Sequence, residues 1–252
     1  MNPTTLNLLA VSVFAFTLLS LVGPLLNISP GAVAIALTGC AGVVALDRFS
    51  WQGKGGNLIV DIFSGQDSEY RQRILHHEAG HFLVAHLLDI PVESYTLSAW
   101  EGIKAGLPGM GGVVVKTVEN DDATATASSS QLTSQQINRY CIVWMAGIAA
   151  ESQTYGSAQG GDDDKAQLRQ LWQQTQPTLK ALEPAAAATA IETQMRWARL
   201  QAQTLLEQQQ AAYEALVGAM ASRETVDVCC QKIEACRLTT PSQGTDLPAT
   251  DL

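Results

Sequence analysis

Residues 1–46 contain no Asp, Glu, Lys or Arg, and within them Leu6–Leu26 is a continuous stretch rich in Leu, Val and Phe. In lipid, backbone N–H and C=O groups must be satisfied inside the segment itself, which for a single stretch leaves an α-helix. At 1.5 Å per residue, about twenty residues cross the ~30 Å hydrocarbon core. A second uncharged stretch, Gly31–Leu46, comes after the turn-forming Asn27-Ile28-Ser29-Pro30; at sixteen residues it is short for a full span. Three arrangements compete. A signal peptide wants a basic leader, and no Lys or Arg precedes Arg48. A single span with a buried second segment is the next alternative, but a helical hairpin with both ends on one side is the expected form. Arg48 and Lys54, just beyond the second segment, weakly favour a cytoplasmic face for the chain beyond residue 47. The expectation is an integral membrane anchor over residues 1–47.

The chain has 252 residues and a formal net charge of −9, with no basic cluster, which argues against nucleic acid as a partner. Its five cysteines are scattered without a C-x-x-C pair. Neither a disulfide framework nor a thiolate zinc site is indicated, consistent with a reducing compartment.

Beyond the anchor, residues 48–66 read as a linker ending in a first strand at Asn57–Phe63. A helix is expected from Asp67 or Ser68 to Leu88, closed by Pro91, then a strand at Val92–Leu97. A glycine-rich loop, Gly102–Gly112, leads into a strand at Gly112–Val115. Residues 119–134 have little to bury and are expected to be mobile. The pattern then turns helical: Gln135–Tyr155, Asp162–Gln174, and one long helix from Pro184 to about Met220, with a seam of Ile191, Met195, Ala198, Ala202 and Leu205. A last helix spans Val226–Ala235, before a polar tail.

All four histidines lie within residues 76–86, and two belong to His77-Glu78-Ala79-Gly80-His81. Residues four apart stack on one helix face, so His77 and His81 can ligate one Zn²⁺. Glu78 can reach a water activated there and act as general base. His76 and His86 point elsewhere around the helix, by roughly 100° and 140°, and read as packing or surface residues. Catalytic zinc usually has three protein ligands. Without another histidine, the third must be a carboxylate or cysteine. Gly160-Gly161-Asp162-Asp163-Asp164 is the best carboxylate cluster, although aspartates at a helix start also serve as caps and dipole partners. Glu151 is a candidate for fixing a ligand's tautomer from behind, or an ordinary helix carboxylate.

The succession of His77-Glu78-Ala79-Gly80-His81, Ala146-Gly147-Ile148-Ala149-Ala150-Glu151, Gly156 and Gly160–Asp164 resembles the peptidase domain of the FtsH family, membrane-bound ATP-dependent zinc metalloproteases. Ala198–Ile233, with Ser222-Arg223-Glu224-Thr225-Val226, is similar to that family's closing helices. The resemblance runs over roughly residues 67–236. It implies a mainly α (α+β), zincin-type peptidase domain over 67–237 with a small sheet, between the linker and a disordered tail at 238–252. It also implies Asp164 as third ligand, with Asp163 the runner-up, and a homo- or hetero-oligomer such as a hexameric ring. The family's ATPase module is missing: about twenty residues separate anchor from motif helix and no Walker motif occurs, so no ATP partner is expected.

The expected function is a membrane-anchored zinc endopeptidase acting on membrane or unfolded protein chains, with the Gly111–Val115 strand free to pair with an extended substrate. The alternative is a catalytically silent scaffold or regulatory partner of a membrane protease.

Overall fold

The computed structural model describes residues 3–50, 68–104, 112–116, 132–175 and 183–239. The described chain is mainly helical, with one two-stranded sheet. It divides into two compact units, Met1–Gln72 with Thr96–Gly112, and Arg73–Tyr95 with Val113–Leu252. The expected strand at Asn57–Phe63 lies outside the described residues, as do most of the glycine loop, nearly all of residues 119–134 and the tail beyond Thr239.

In the first unit, α1 (Pro3–Val22) and α2 (Pro30–Ser50) are joined by a 3-10 turn at Gly23–Leu26. Asn27 takes a left-handed conformation (φ 58°), and Ile28 N–H closes the turn on Gly23 O at 2.8 Å. Ser29 Oγ then caps α2 by accepting the Ala32 N–H at 3.1 Å. Both helices are long and apolar enough to cross a membrane. The second is longer than its uncharged stretch: 21 residues give about 31 Å. Large apolar side chains are exposed along both, such as Phe14 and Leu21 on α1 and Ile35 and Val44 on α2. The hydroxyls of Thr17 and Thr38 are satisfied inside their own helices, on Val13 O and Ala34 O, as an apolar solvent requires. This unit also holds the short α4 (Ala99–Lys104).

In the second unit, α3 (Ser68–Leu87, of which residues from Arg73 onward belong here) carries the histidine pair, and α5 (Ser134–Tyr155) lies against it. A Cβ on Gly80 would come within 2.6 Å of Ala150 Cβ and 2.7 Å of Ala146 O, so glycine sets how closely α3 and α5 approach. A capping box of Thr133 and Gln136 starts α5, and Gly156 (φ 77°) ends it in a left-handed C-cap. Two strands, β1 (Val92–Thr96) and β2 (Gly112–Val115), pair antiparallel, with Lys116 N–H reaching Pro91 O beyond one end; Thr96 and Gly112, which are counted with the first unit, are joined by a bond from Gly112 N–H to Thr96 Oγ1.

Helix α6 (Asp162–Thr175) comes after a glycine turn and packs on α5, as does α7 (Pro184–Gln208). The single long helix expected from Pro184 is in fact two, because Gln209 (φ −115°, ψ 34°) breaks it before α8 (Gln210–Ala221). The break redirects the chain so that α8 packs on α9 (Val226–Thr239), which runs four residues past the expected end. The buried seam of α7 ends on Leu206, not Leu205: successive steps of four, three, four and four track the 3.6-residue turn. The core gathers Phe82, Leu83, Leu168, Leu206, Leu216, Met220 and Ile233, all fully buried.

Candidate metal centre

Helix α3 delivers His77 and His81 on one buried face, with ring centroids 4.8 Å apart and planes at 76°. The first turn of α6 brings Asp164 to them: Oδ2 lies 3.1 Å from His77 Nε2, and Oδ1 lies 3.5 Å from His81 Nε2. One ligand atom from each of the three residues falls within 4.8 Å of the others. Ligand bonds of ~2.0–2.1 Å in a tetrahedron place neighbouring ligand atoms roughly 3.3 Å apart, the range observed between imidazole and carboxylate.

The far sides of the rings decide what this pocket can hold. His81 Nδ1 donates to Val143 O at 2.7 Å, leaving its Nε2 lone pair facing Asp164. His77 Nδ1 is buried and faces Glu151 Oε2 at 3.5 Å, so Glu151 favours the same tautomer. Two imidazole lone pairs and a carboxylate then converge on one point. Acceptors facing acceptors are stable only around a proton or a metal cation. The electrostatics of the centre make the same demand. Burial opposes a charge on His77, yet hydrogen bonds to Asp164 and Glu151 and the Glu78 charge raise its pKa to about 10. His81 is raised too, Asp164 outweighing burial, and Asp164 is held below its ordinary range by the two imidazoles against the cost of burial. A divalent cation would replace those protons.

Glu151 is almost wholly buried at 2% exposure and ties the centre to its surroundings. Its Oε1 accepts from Arg73 Nη1 at 3.1 Å and Gln159 N at 2.8 Å, and its Oε2 accepts from Gly160 N at 3.2 Å. Burial pushes its pKa up, but His77, these two amides and Arg73 pull it down to about 2, so it stays anionic. Arg73 also donates to Ser157 O at 3.2 Å and sits 4.3 Å over the Tyr155 ring. The Gly156–Gly161 turn that carries Asp164 is thus held by the same carboxylate that faces His77. Gly161 (φ 94°) completes it; a Cβ there would meet Ile148 Cγ1 at 2.2 Å.

Glu78 is half-buried beside the pair, and its Oε2 accepts the Val113 N–H of β2 at 3.0 Å. Desolvation raises its pKa, against the charges of His81 and His77, which makes it a stronger proton acceptor than a free carboxylate.

Of the residues singled out from sequence, His77, Glu78, His81 and Asp164 come together. Asp163 is exposed on the outer side of α6. His76 Nδ1 pairs with Tyr213 Oη at 2.8 Å and His86 Nε2 with Glu234 Oε1 at 2.7 Å, so neither belongs to the centre. Four contributors escaped the sequence reading. Arg73 lies one helical turn before His77, a spacing that marks a shared face. Gly147 packs against both imidazoles: a Cβ there would stand 2.5 Å from His77 Nε2 and from His81 Nε2. The Val143 carbonyl and Val113 amide are backbone groups and carry no sequence signal. Comparison with protein-family models and with curated proteins finds no match for the chain.

Proposed function

We propose that the chain is a membrane-anchored zinc endopeptidase, with a zincin-type domain of the FtsH kind and no ATPase of its own. The observation that carries this reading is the convergence of the His77 and His81 Nε2 atoms on Asp164, with Val143 O and Glu151 behind the rings. His77, His81 and Asp164 would hold the ion, leaving a fourth position open to water, the mark of a catalytic rather than a structural site.

Bound zinc would supply Lewis acidity, taking the pKa of a water from 15.7 toward ~7. The remaining work falls to the chain's own groups. Glu78 stands directly after the first ligand in sequence, and its raised pKa suits it to take a proton from the attacking water and return it to the departing amine. Glu151 and Val143 O keep the two rings from turning. The Val113 N–H holds the Glu78 carboxylate in place from β2, and the same short strand offers an edge along which an extended protein chain can lie. Substrates are then polypeptides recognised through their backbone, in membrane or unfolded proteins.

The two apolar N-terminal helices support an integral membrane location, and Arg48 with Lys54 supports a cytoplasmic peptidase domain. A homo- or hetero-oligomeric ring, hexameric as the family resemblance implies, would confine access to the centre. The deciding experiment is zinc per chain in detergent-purified protein, wild type against Asp164→Ala, and then casein cleavage with Glu78→Gln as blank. About one zinc lost on Asp164→Ala, with cleavage that vanishes in Glu78→Gln, supports the peptidase. Zinc bound without Glu78-dependent cleavage identifies a silent scaffold, and no zinc in folded wild type removes the metal reading.

A further inference from the structure

A pocket lies against the Gly156–Gly161 turn, beside the candidate metal centre. It is a solvent-open cavity of about 520 Å³ bounded by α5, that turn, α6 and α7, within the ~300–1,000 Å³ range of small-ligand sites. Its floor is apolar: Met145 and Ile148 from α5 and Met195 from α7, all buried. Its rim is cationic, with Arg196 and Arg199 from α7 and Lys165 from α6. Glu192 is the one acidic residue on it, so the local balance is positive in a chain whose net charge is −9. Lys165 is partly engaged by Asp162 at 3.2 Å; Arg196 and Arg199 make no ion pair among the described residues. Ser152 and Ser157 line the same wall.

We propose that this cavity binds the C-terminal end of a polypeptide whose last side chain is aliphatic. Guanidinium groups match a carboxylate with paired N–H donors, which assigns the terminal carboxylate to Arg196 and Arg199. The Met145–Ile148–Met195 floor offers nothing to an isolated inorganic anion but buries an aliphatic side chain. The serine hydroxyls suit the last peptide amide, which a fatty acid lacks. Gly160 belongs to the cavity wall and also lies against His77: a Cβ on it would stand 3.5 Å from that ring. A chain end held here therefore sits one turn of backbone away from the metal ligands, where it can retain a substrate terminus or a newly made one.

The test is binding of a fluorescein-labelled Gly-Gly-Ala-Leu peptide with a free carboxylate, read by anisotropy. It uses the EDTA-treated full chain in detergent carrying Glu78→Gln, so that neither metal nor cleavage contributes. Saturable binding is expected, weakened at least about tenfold (~1.4 kcal/mol) when the peptide ends in an amide, when Arg196→Gln and Arg199→Gln are combined, or when Ser157→Trp fills the cavity. Arg237→Gln, a distant arginine paired with Glu234, should change nothing. Equal binding of acid and amide, unaltered binding to both cavity variants, or equal competition by decanoate or inorganic phosphate would overturn the proposal. Because no zinc is present, that failure would leave the peptidase reading untouched, and failure of the peptidase reading would leave this result standing.

Discussion

Glu151 faces the Nδ1 atom of His77 at 3.5 Å while accepting the backbone N–H groups of Gln159 and Gly160. One carboxylate therefore orients a ligand from α3 and holds the turn that delivers Asp164, the third member of the centre, from α6.

Replacing Glu151 by Gln should accordingly weaken zinc binding by about 10–100-fold, the usual cost of losing a group that orients a metal-bound histidine. Competition against a chromophoric chelator would measure it. Arg73→Gln, which removes the cation opposite Glu151, should act in the same direction with a smaller effect, and unaltered affinity in both variants would mean that the rings are held without this network.

Gly147→Ala adds a methyl that would stand 2.5 Å from both Nε2 atoms. Overpacking of this kind typically costs about 1–3 kcal/mol, so thermal unfolding should shift downward by several degrees while zinc content falls to near zero. Retention of a full equivalent of zinc in the alanine variant would show that the helices can separate to admit the methyl.

The zinc-free protein should lose stability in alkali. His77 rises from 6.5 to about 10 in the folded state, so the stability that its proton brings is fully present below pH 6.5 and is lost as pH climbs through about 10. Thermal melts of EDTA-treated protein should fall across that window. The zinc-loaded form, whose ligands are already deprotonated, should stay level. Metal binding near pH 7 should also release protons, measurable by calorimetry in buffers of different ionisation enthalpy.

Glu78→Gln should abolish peptide cleavage and keep zinc content within error of wild type, because Glu78 contacts Val113 and is not one of the three converging ligands. An intermediate loss of activity would point to a different proton acceptor.

The parts of this arrangement that sequence makes visible are those with a short period. His77 and His81 are four residues apart, and the α-helix alone makes them neighbours. The helices of the second unit can be read from apolar spacing, with Pro184 and Gly156 marking ends. Residues far apart in the chain are harder to connect. Asp164 stands in a run of three aspartates, and spacing alone does not choose among them; in the fold, the Gly161 turn directs Asp164 to the histidines. The break at Gln209 carries no glycine or proline; it arises from the packing of α8 on α9, which no local pattern announces. The Leu205/Leu206 difference is a phase slip of one residue that accumulates when a helix of 3.6 residues per turn is read in alternating fours and threes.

Gly147 has a consequence for reading other chains. Two histidines and an aspartate can persist in a sequence after the ability to seat a cation has gone, since imidazoles and carboxylates are tolerated on many half-buried surfaces. The space that Gly147 leaves open is less forgiving: any side chain there occupies the volume in which the two rings must meet. Glycine at that position, more than the ligands themselves, is the letter that separates a chain able to assemble such a centre from one that has merely inherited its spelling.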